Sequence, residues 1–129
     1  MKLISKILVV LALLQCSIAV QAQNETELLV QHLQTSNFNA LQSFWDSQVE
    51  SSILDQVSSK PLTAAQANEN LQSFFNKKNI VGFEKSAERK LGNTLYLTGK
   101  LLSSQQKFNL TLLLQSTKKG FVIVSMRVS

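Results

Sequence analysis

The chain has 129 residues, 44% of them hydrophobic, and its 13 Lys and Arg against 8 Asp and Glu give a formal net charge of +5. That length accommodates one domain around a single core and excludes two. The charges are scattered, with no run of five alike, so the basic stripe that nucleic-acid binding needs is missing, and the one cysteine, Cys16, excludes a disulfide framework or a thiolate metal site.

The chain opens as a leader. Lys2 and Lys6 form a positive segment ahead of an unbroken apolar run, Ile7 to Leu14, which Ile18, Ala19 and Val20 extend. Val20-Gln21-Ala22 then places small residues at the −3 and −1 positions of a signal-peptidase site, so cleavage is expected between Ala22 and Gln23. The run is too short and too interrupted for a membrane span, which takes about 20 apolar residues. Residues 1–22 therefore read as a secretory signal peptide and residues 23–129 as a single exported domain, periplasmic or secreted. An alternative address lies inside the same leader. Leu13-Leu14-Gln15-Cys16 resembles a bacterial lipobox, in which the cysteine is lipidated and becomes the mature N-terminus, but Gln15 stands where that motif wants a small residue. Asn24-Glu25-Thr26 and Asn109-Leu110-Thr111 match the glycosylation pattern, which matters only in a eukaryotic secretory pathway.

From Glu25 to Gln34, Leu28, Leu29 and Leu33 recur at helical spacing. Thr35-Ser36-Asn37 breaks the pattern, with Asn37 suited to a C-terminal cap. A second short helix follows over about Phe38 to Trp45, with Phe38, Leu41, Phe44 and Trp45 on its apolar side. Val49 to Val57 reads as a first strand with Val49, Ser51, Ile53 and Asp55 on one face. Ser58-Ser59-Lys60-Pro61 turns the chain. Thr63 and Gln66 form a capping box, and the helix from Ala64 to about Asn76 gathers Ala67, Leu71, Phe74 and Phe75 on one side.

Past Lys77-Lys78-Asn79 the period changes to two. Val81, Phe83, Lys85 and Ala87 share one face, Gly92-Asn93 marks a hairpin turn, and Leu95, Leu97, Gly99 and Leu101 share the next face. Phe108, Leu110, Leu112 and Leu114 line a third strand, and Phe121 to Val128 is the last. Four successive strands with short connections make an antiparallel meander. Gly99 sits mid-strand, where glycine permits a bulge or sharp bend. The layout is α+β: a curved antiparallel sheet with the N-terminal helices packed on one face. In the last strand Val122, Val124, Met126 and Val128 occupy one side and Phe121 and Ile123 the other. A strand apolar on both sides calls for cover on both, either by neighbours such as Leu113 or by a second copy in a homodimer through the outer sheet face.

Ser52-Ile53-Leu54-Asp55, the helix from Ala65-Gln66-Ala67 to Ser73-Phe74-Phe75, the Gly82-Phe83 strand, Thr94-Leu95-Tyr96-Leu97-Thr98-Gly99 and the closing Val124-Ser125-Met126-Arg127-Val128 carry a resemblance. Over roughly residues 25–129 the chain resembles the exported domain-of-unknown-function family 4783, found mainly in Bacteroidetes. The resemblance implies the cone-shaped fold of nuclear-transport-factor-like proteins, also called cystatin-like. It implies no established activity, because its motifs are mostly apolar. The same cone hosts ketosteroid isomerases, polyketide cyclases and dehydratases, which use an acid or base on the inner sheet face or lining helices.

Candidates for such chemistry are few. His32 is the only histidine and lies in the first helix beside Leu33, where a partly exposed helix histidine is the plainer reading. No nucleophile-elbow glycine pattern accompanies it. Asp55, at the end of the first strand near the mouth of the cone, is the better general base, although it also suits a cap for the Ser58-Ser59 turn. Asp46, after Trp45, reads as a turn residue. No histidine or carboxylate cluster has metal-ligand spacing, so neither a metal nor a cofactor is expected. Trp45, Phe44, Phe74, Phe75, Phe83 and Tyr96 are the aromatic stock, and aromatics at such spacing are usually core. Of these, Trp45, Phe44, Phe75 and Tyr96, with Asp55, are the candidates to line a ligand cavity, since Trp and Tyr each carry a polar group on an apolar body. Protease inhibition by a Gln-x-Val-x-Gly hairpin is excluded: neither Gln48-Val49 nor Gln56-Val57 has that spacing or the glycine. The function expected is a non-enzymatic domain binding a small apolar ligand or a protein, the alternative being a small isomerase- or dehydratase-like enzyme with Asp55 or His32 as base. Mass spectrometry of protein recovered from the exporting cell is expected to place the mature N-terminus at Gln23; a lipidated Cys16 terminus would replace this reading with the membrane-anchored one.

Overall fold

The computed structural model describes residues 26–129. The leader, Cys16, the Ala22-Gln23 junction and the Asn24 sequon lie outside the described residues. The first described helix, α1 (residues 26–34), buries Leu29 and Leu33 completely and leaves Leu28 outside. It stops because Ser36 takes a left-handed conformation (φ 54°) while the Asn37 and Ser36 amides donate back to the His32 and Leu33 carbonyls at 2.9 and 3.4 Å. That is a Schellman stop with Ser36, not Asn37, in the left-handed position. Asn37 instead caps the following helix: its side chain accepts from the Ala40 amide.

That helix, α2 (Phe38–Leu41), is shorter than its apolar spacing suggested. It tightens into a 3₁₀ turn, Gln42–Phe44, and Trp45 already has extended backbone and opens β1 (Trp45–Ile53). The expected strand over Val49–Val57 is in fact a tight hairpin. β1 ends at Ile53, Leu54-Asp55 makes the turn, and β2 (Gln56–Val57) returns antiparallel with Ser52 opposite Val57 and Ile53 opposite Gln56. After β2 the chain bulges outward through Ser59–Pro61 and rejoins β1 where Val49 and Leu62 exchange both backbone hydrogen bonds at 2.8 Å.

Helix α3 (Ala64–Lys78) starts at the expected capping box. The Gln66 amide donates to Thr63 Oγ1 at 3.2 Å, and the Thr63 amide to Gln66 Oε1 at 3.0 Å. Left-handed Asn79 ends it. The meander follows as β3 (Gly82–Leu91), β4 (Thr94–Leu102), β5 (Lys107–Thr117) and β6 (Gly120–Val128), all paired antiparallel. The six strands form one sheet in the order β2-β1-β6-β5-β4-β3. β1 runs parallel to β6, because α3 and the meander intervene as a crossover. Asn109 lies inside β5, where its backbone pairs with Ser129 and its side chain accepts from Lys100 Nζ.

Two bulges decide which side chains face the helices. One in β3 between Lys85 and Ala87 reverses that strand's alternation. The other lies in β6 and leaves Val124 as the extra residue between Ile123 and Ser125. Ile123, Met126 and Val128 consequently all point into the core, while Val122 and Val124 are half-buried. The strand is therefore not apolar on both sides along its length: the bulge turns the two expected rows into one inner row, and Ser125 and Arg127 stand outside it.

Sheet curvature rests on Gly99. A Cβ placed there would sit 2.4 Å from two Phe83 ring atoms and 2.6 Å from the Glu84 carbonyl oxygen, so β3 crosses β4 at a distance only glycine allows. Phe83 itself is buried against this gap. Gly99→Ala is expected to destabilise the domain by about 3 kcal/mol, the upper part of the range for overpacking. Adding Phe83→Leu should restore only part of that loss, because the Glu84 carbonyl remains in the way; thermal unfolding of the single and double variants reads both.

Candidate functional site

The β1–β2 hairpin diverges from the C-terminal half of α3 and leaves a cleft of about 520 Å³ open on one side. Its sheet-side wall is Ser51, Ile53, Leu54 and Asp55, with Gln56, Val57 and Ser58 beyond; its helix-side wall is Asn70, Ser73, Phe74, Lys77 and Lys78. Several local features place these groups. The left-handed Leu54 (φ 54°) closes the two-residue turn, an uncommon conformation for a branched side chain, and its amide donates to the Val128 carbonyl at 2.8 Å. The Ser58 amide donates to the Ser51 carbonyl at 3.0 Å and holds the returning strand. Lys77 and Lys78 fall in the last turn of α3, where positive charge also complements the helix dipole. The Lys78 carbonyl is tied to the β4–β5 turn by Ser103 Oγ at 2.8 Å. Ser51, Val57 and Ser58 also border a smaller notch of about 360 Å³ on the other side of the hairpin, which is thus a thin wall between two concavities.

Asp55 lines the cleft and is exposed at the hairpin tip. The aromatic candidates do not join it there. Trp45 is 5% exposed and its indole N–H donates to Asn68 Oδ1 at 2.9 Å; Asn68 Nδ2 in turn donates to the Phe38 carbonyl at 2.9 Å. Trp45 is therefore a core residue whose polar group is already satisfied. Phe75 is buried edge-to-face against Phe38, with ring centroids 5.0 Å apart. Phe44 is half-buried and meets the His32 ring edge-to-face at 5.9 Å, away from the cleft. Tyr96 alternates with buried Leu95 and Leu97 and so stands on the outer sheet face, 39% exposed. Asp46, half-buried near the start of β1, does not line the cleft either. His32 and Asp55 thus sit at separate places and form no joint acid–base pair. Among the described residues no group of three or more His, Cys, Asp and Glu could hold a metal ion, and no helix is long and apolar enough to cross a membrane.

The sequence puts Phe74 on the apolar side of the helix and Lys77-Lys78 just past its expected end, and gives Ser51 only a position on a strand face. The signal available for Ser51 was a polar residue between Val49 and Ile53 in an inward row. No pattern announced that the two lysines reach a cleft wall, since that depends on where the hairpin lies.

Removing the Asn68 amide tests the Trp45 assignment. Asn68→Ala leaves the buried indole N–H without a partner, while the Phe38 carbonyl keeps only the Gln42 amide, an expected loss of about 1–3 kcal/mol. Trp45 is the only tryptophan, so its fluorescence follows both the unfolding transition and any change in the indole's surroundings.

Comparison with known proteins bears on fold and family. No curated protein sequence matches the chain significantly. Among solved structures, the crystal structure of a DUF4783 family protein from Bacteroides ovatus superposes with a TM-score of 0.71 at 16% identity, covering 78% of this chain and 89% of that one. A DUF4783 family protein from Bacteroides fragilis gives 0.70 at 18% identity, covering 78% and 92%. An NTF2-like protein with a cystatin-like fold from Novosphingobium aromaticivorans gives 0.56 at 11% identity, covering 90% and 86%. At these identities the likeness concerns the fold alone: the cone-shaped α+β architecture. The sequence profile of the family described as "Domain of unknown function (DUF4783)" matches residues 26–129, and the chain belongs to that family.

Proposed function

We propose that the protein is an exported, non-catalytic binding domain that takes a small amphipathic molecule in the cleft between the β1–β2 hairpin and α3. The observation that carries this reading is the cleft itself. Its volume of about 520 Å³ falls within the roughly 300–1,000 Å³ range of small-molecule sites. It offers Ile53, Leu54 and Phe74 to an apolar body and hydroxyl, amide and ammonium groups to a polar one. Leu54 and Val57 are exposed at 39% and 73%, apolar surface that an occupant would cover. The leader supports export.

A second reading has one observation in its favour. Asp55 lines the cleft and could abstract a proton from an occupant. Against it, Asp55 is exposed and His32, the only histidine, lies away from the cleft, so no imidazole is placed to work with it. General acid–base catalysis needs both partners within hydrogen-bond reach of the reacting atoms.

A fragment screen by saturation-transfer NMR separates the possibilities. Small amphipathic compounds are expected to bind without turnover. Ser73→Trp, a filling substitution on an exposed position of α3, should abolish binding while leaving the melting temperature unchanged. Turnover lost in Asp55→Asn would replace the binding reading with the enzymatic one. Binding indifferent to Ser73→Trp would move the site away from the cleft.

A further inference from the structure

Two polar side chains of the core elements are treated very differently. Asn68, 7% exposed, is hydrogen-bonded on both sides of its amide. Ser51, 6% exposed, has a hydroxyl with no hydrogen-bond partner among the described residues. Yet no fully buried side-chain polar atom there lacks a partner. Both facts hold together only if the Ser51 hydroxyl keeps a narrow opening, and the cleft it lines supplies that opening. Register gives the direction. Ser51 pairs with Met126, whose side chain is buried, and alternates with Val49, fully buried, and Ile53, packed against the core. The hydroxyl therefore faces the helix side of the sheet, at the floor of the cleft.

The Ser51 hydroxyl stands in an otherwise apolar row and reaches solvent through the cleft. An occupant of the cleft can pair with it directly in place of water. Around it the cleft carries two cationic groups, Lys77 and Lys78, against one carboxylate, Asp55. Among the described residues the one ion pair is Lys85 with Glu88, so neither cleft lysine is neutralised by a protein carboxylate. A hydroxyl donor on the floor and two unpaired ammonium groups on the helix side suit an anionic oxygen group. Phe74, Ile53 and Leu54 beside them suit an alkyl or aryl body.

We infer that the cleft selects amphipathic carboxylates, with Ser51 donating a hydrogen bond to the carboxylate and Lys77 and Lys78 supplying its counter-charge. This rests on the cleft being the ligand site. Asp55, at the hairpin tip, disfavours a second negative charge at the cleft mouth and so favours a monoanion.

The test uses two probes of equal chain length, octanoate and 1-octanol, titrated calorimetrically into the purified protein. Octanoate is expected to bind well over tenfold more tightly, about tenfold from one charge-assisted hydrogen bond and the rest from the two ammonium groups. Ser51→Ala should erase about tenfold of that preference and leave octanol unchanged, while the melting temperature stays the same because the hydroxyl has no hydrogen-bond partner among the described residues to lose. Lys77→Gln with Lys78→Gln should remove the remaining preference and its salt dependence. Equal binding of both probes, each blocked by Ser73→Trp, would keep the cleft as the site and overturn the carboxylate assignment. So would a preference for octanoate that survives Ser51→Ala intact. Octanoate binding that Ser73→Trp does not block would overturn the cleft reading itself.

Discussion

One missing methyl group sets the shape of this protein. At Gly99 the backbone of β3 and the ring of Phe83 occupy the space that any Cβ would need. The bulge in β3 between Lys85 and Ala87 lies next to the residue paired with Gly99 and adds local twist. With both devices at one place, the β3–β4 end of the sheet turns inward over the helices rather than continuing flat. A curled sheet can bury Leu95, Leu97, Leu101, Leu110, Leu112 and Leu114 in one core with Leu29, Leu33 and Leu71 from the helices. A flat sheet packs poorly against so short a set of helices.

Curvature at one end leaves divergence at the other. β2 is two residues long and pairs only with β1, so the hairpin tip is held by few bonds and does not follow α3. The cleft is the space between them. Its apolar part comes partly from residues that also serve the core: Phe74 is 6% exposed and meets Phe108 edge-to-face at 5.0 Å, whereas Leu54 and Val57 are exposed. Its polar part belongs to residues the core does not use.

Asn68 and Ser51 mark the two ways a small domain uses polarity inside. Asn68 ties α3 to the indole of Trp45 on β1 and to the backbone of α2, partners 23 and 30 residues away along the chain. A satisfied buried amide of this kind specifies one arrangement of helices against the sheet. The Ser51 hydroxyl has no hydrogen-bond partner among the described residues.

The sequence by itself determined the elements that local periodicity and end signals encode. The capping box at Thr63 and Gln66, the α3 core face, the Gly92-Asn93 turn and the inner rows of β4 and β5 are all written in neighbouring residues, because a helix repeats every 3.6 and a strand every two. The family resemblance and the α+β class followed from the same patterns. What only tertiary structure decided depends on distance along the chain. The Val124 bulge is invisible locally because it arises from pairing with β5. The split of the first strand into a hairpin is set by where Leu54 and Leu62 find backbone partners on β6 and β1. Trp45, Phe44, Phe75 and Tyr96 looked equivalent as aromatics, yet burial sent two to the core, one to the flank of His32 and one to the outer face. Lys77, Lys78 and Ser51 became cleft residues only because a strand and a helix far apart in sequence converge and then part, a geometry that no single segment carries.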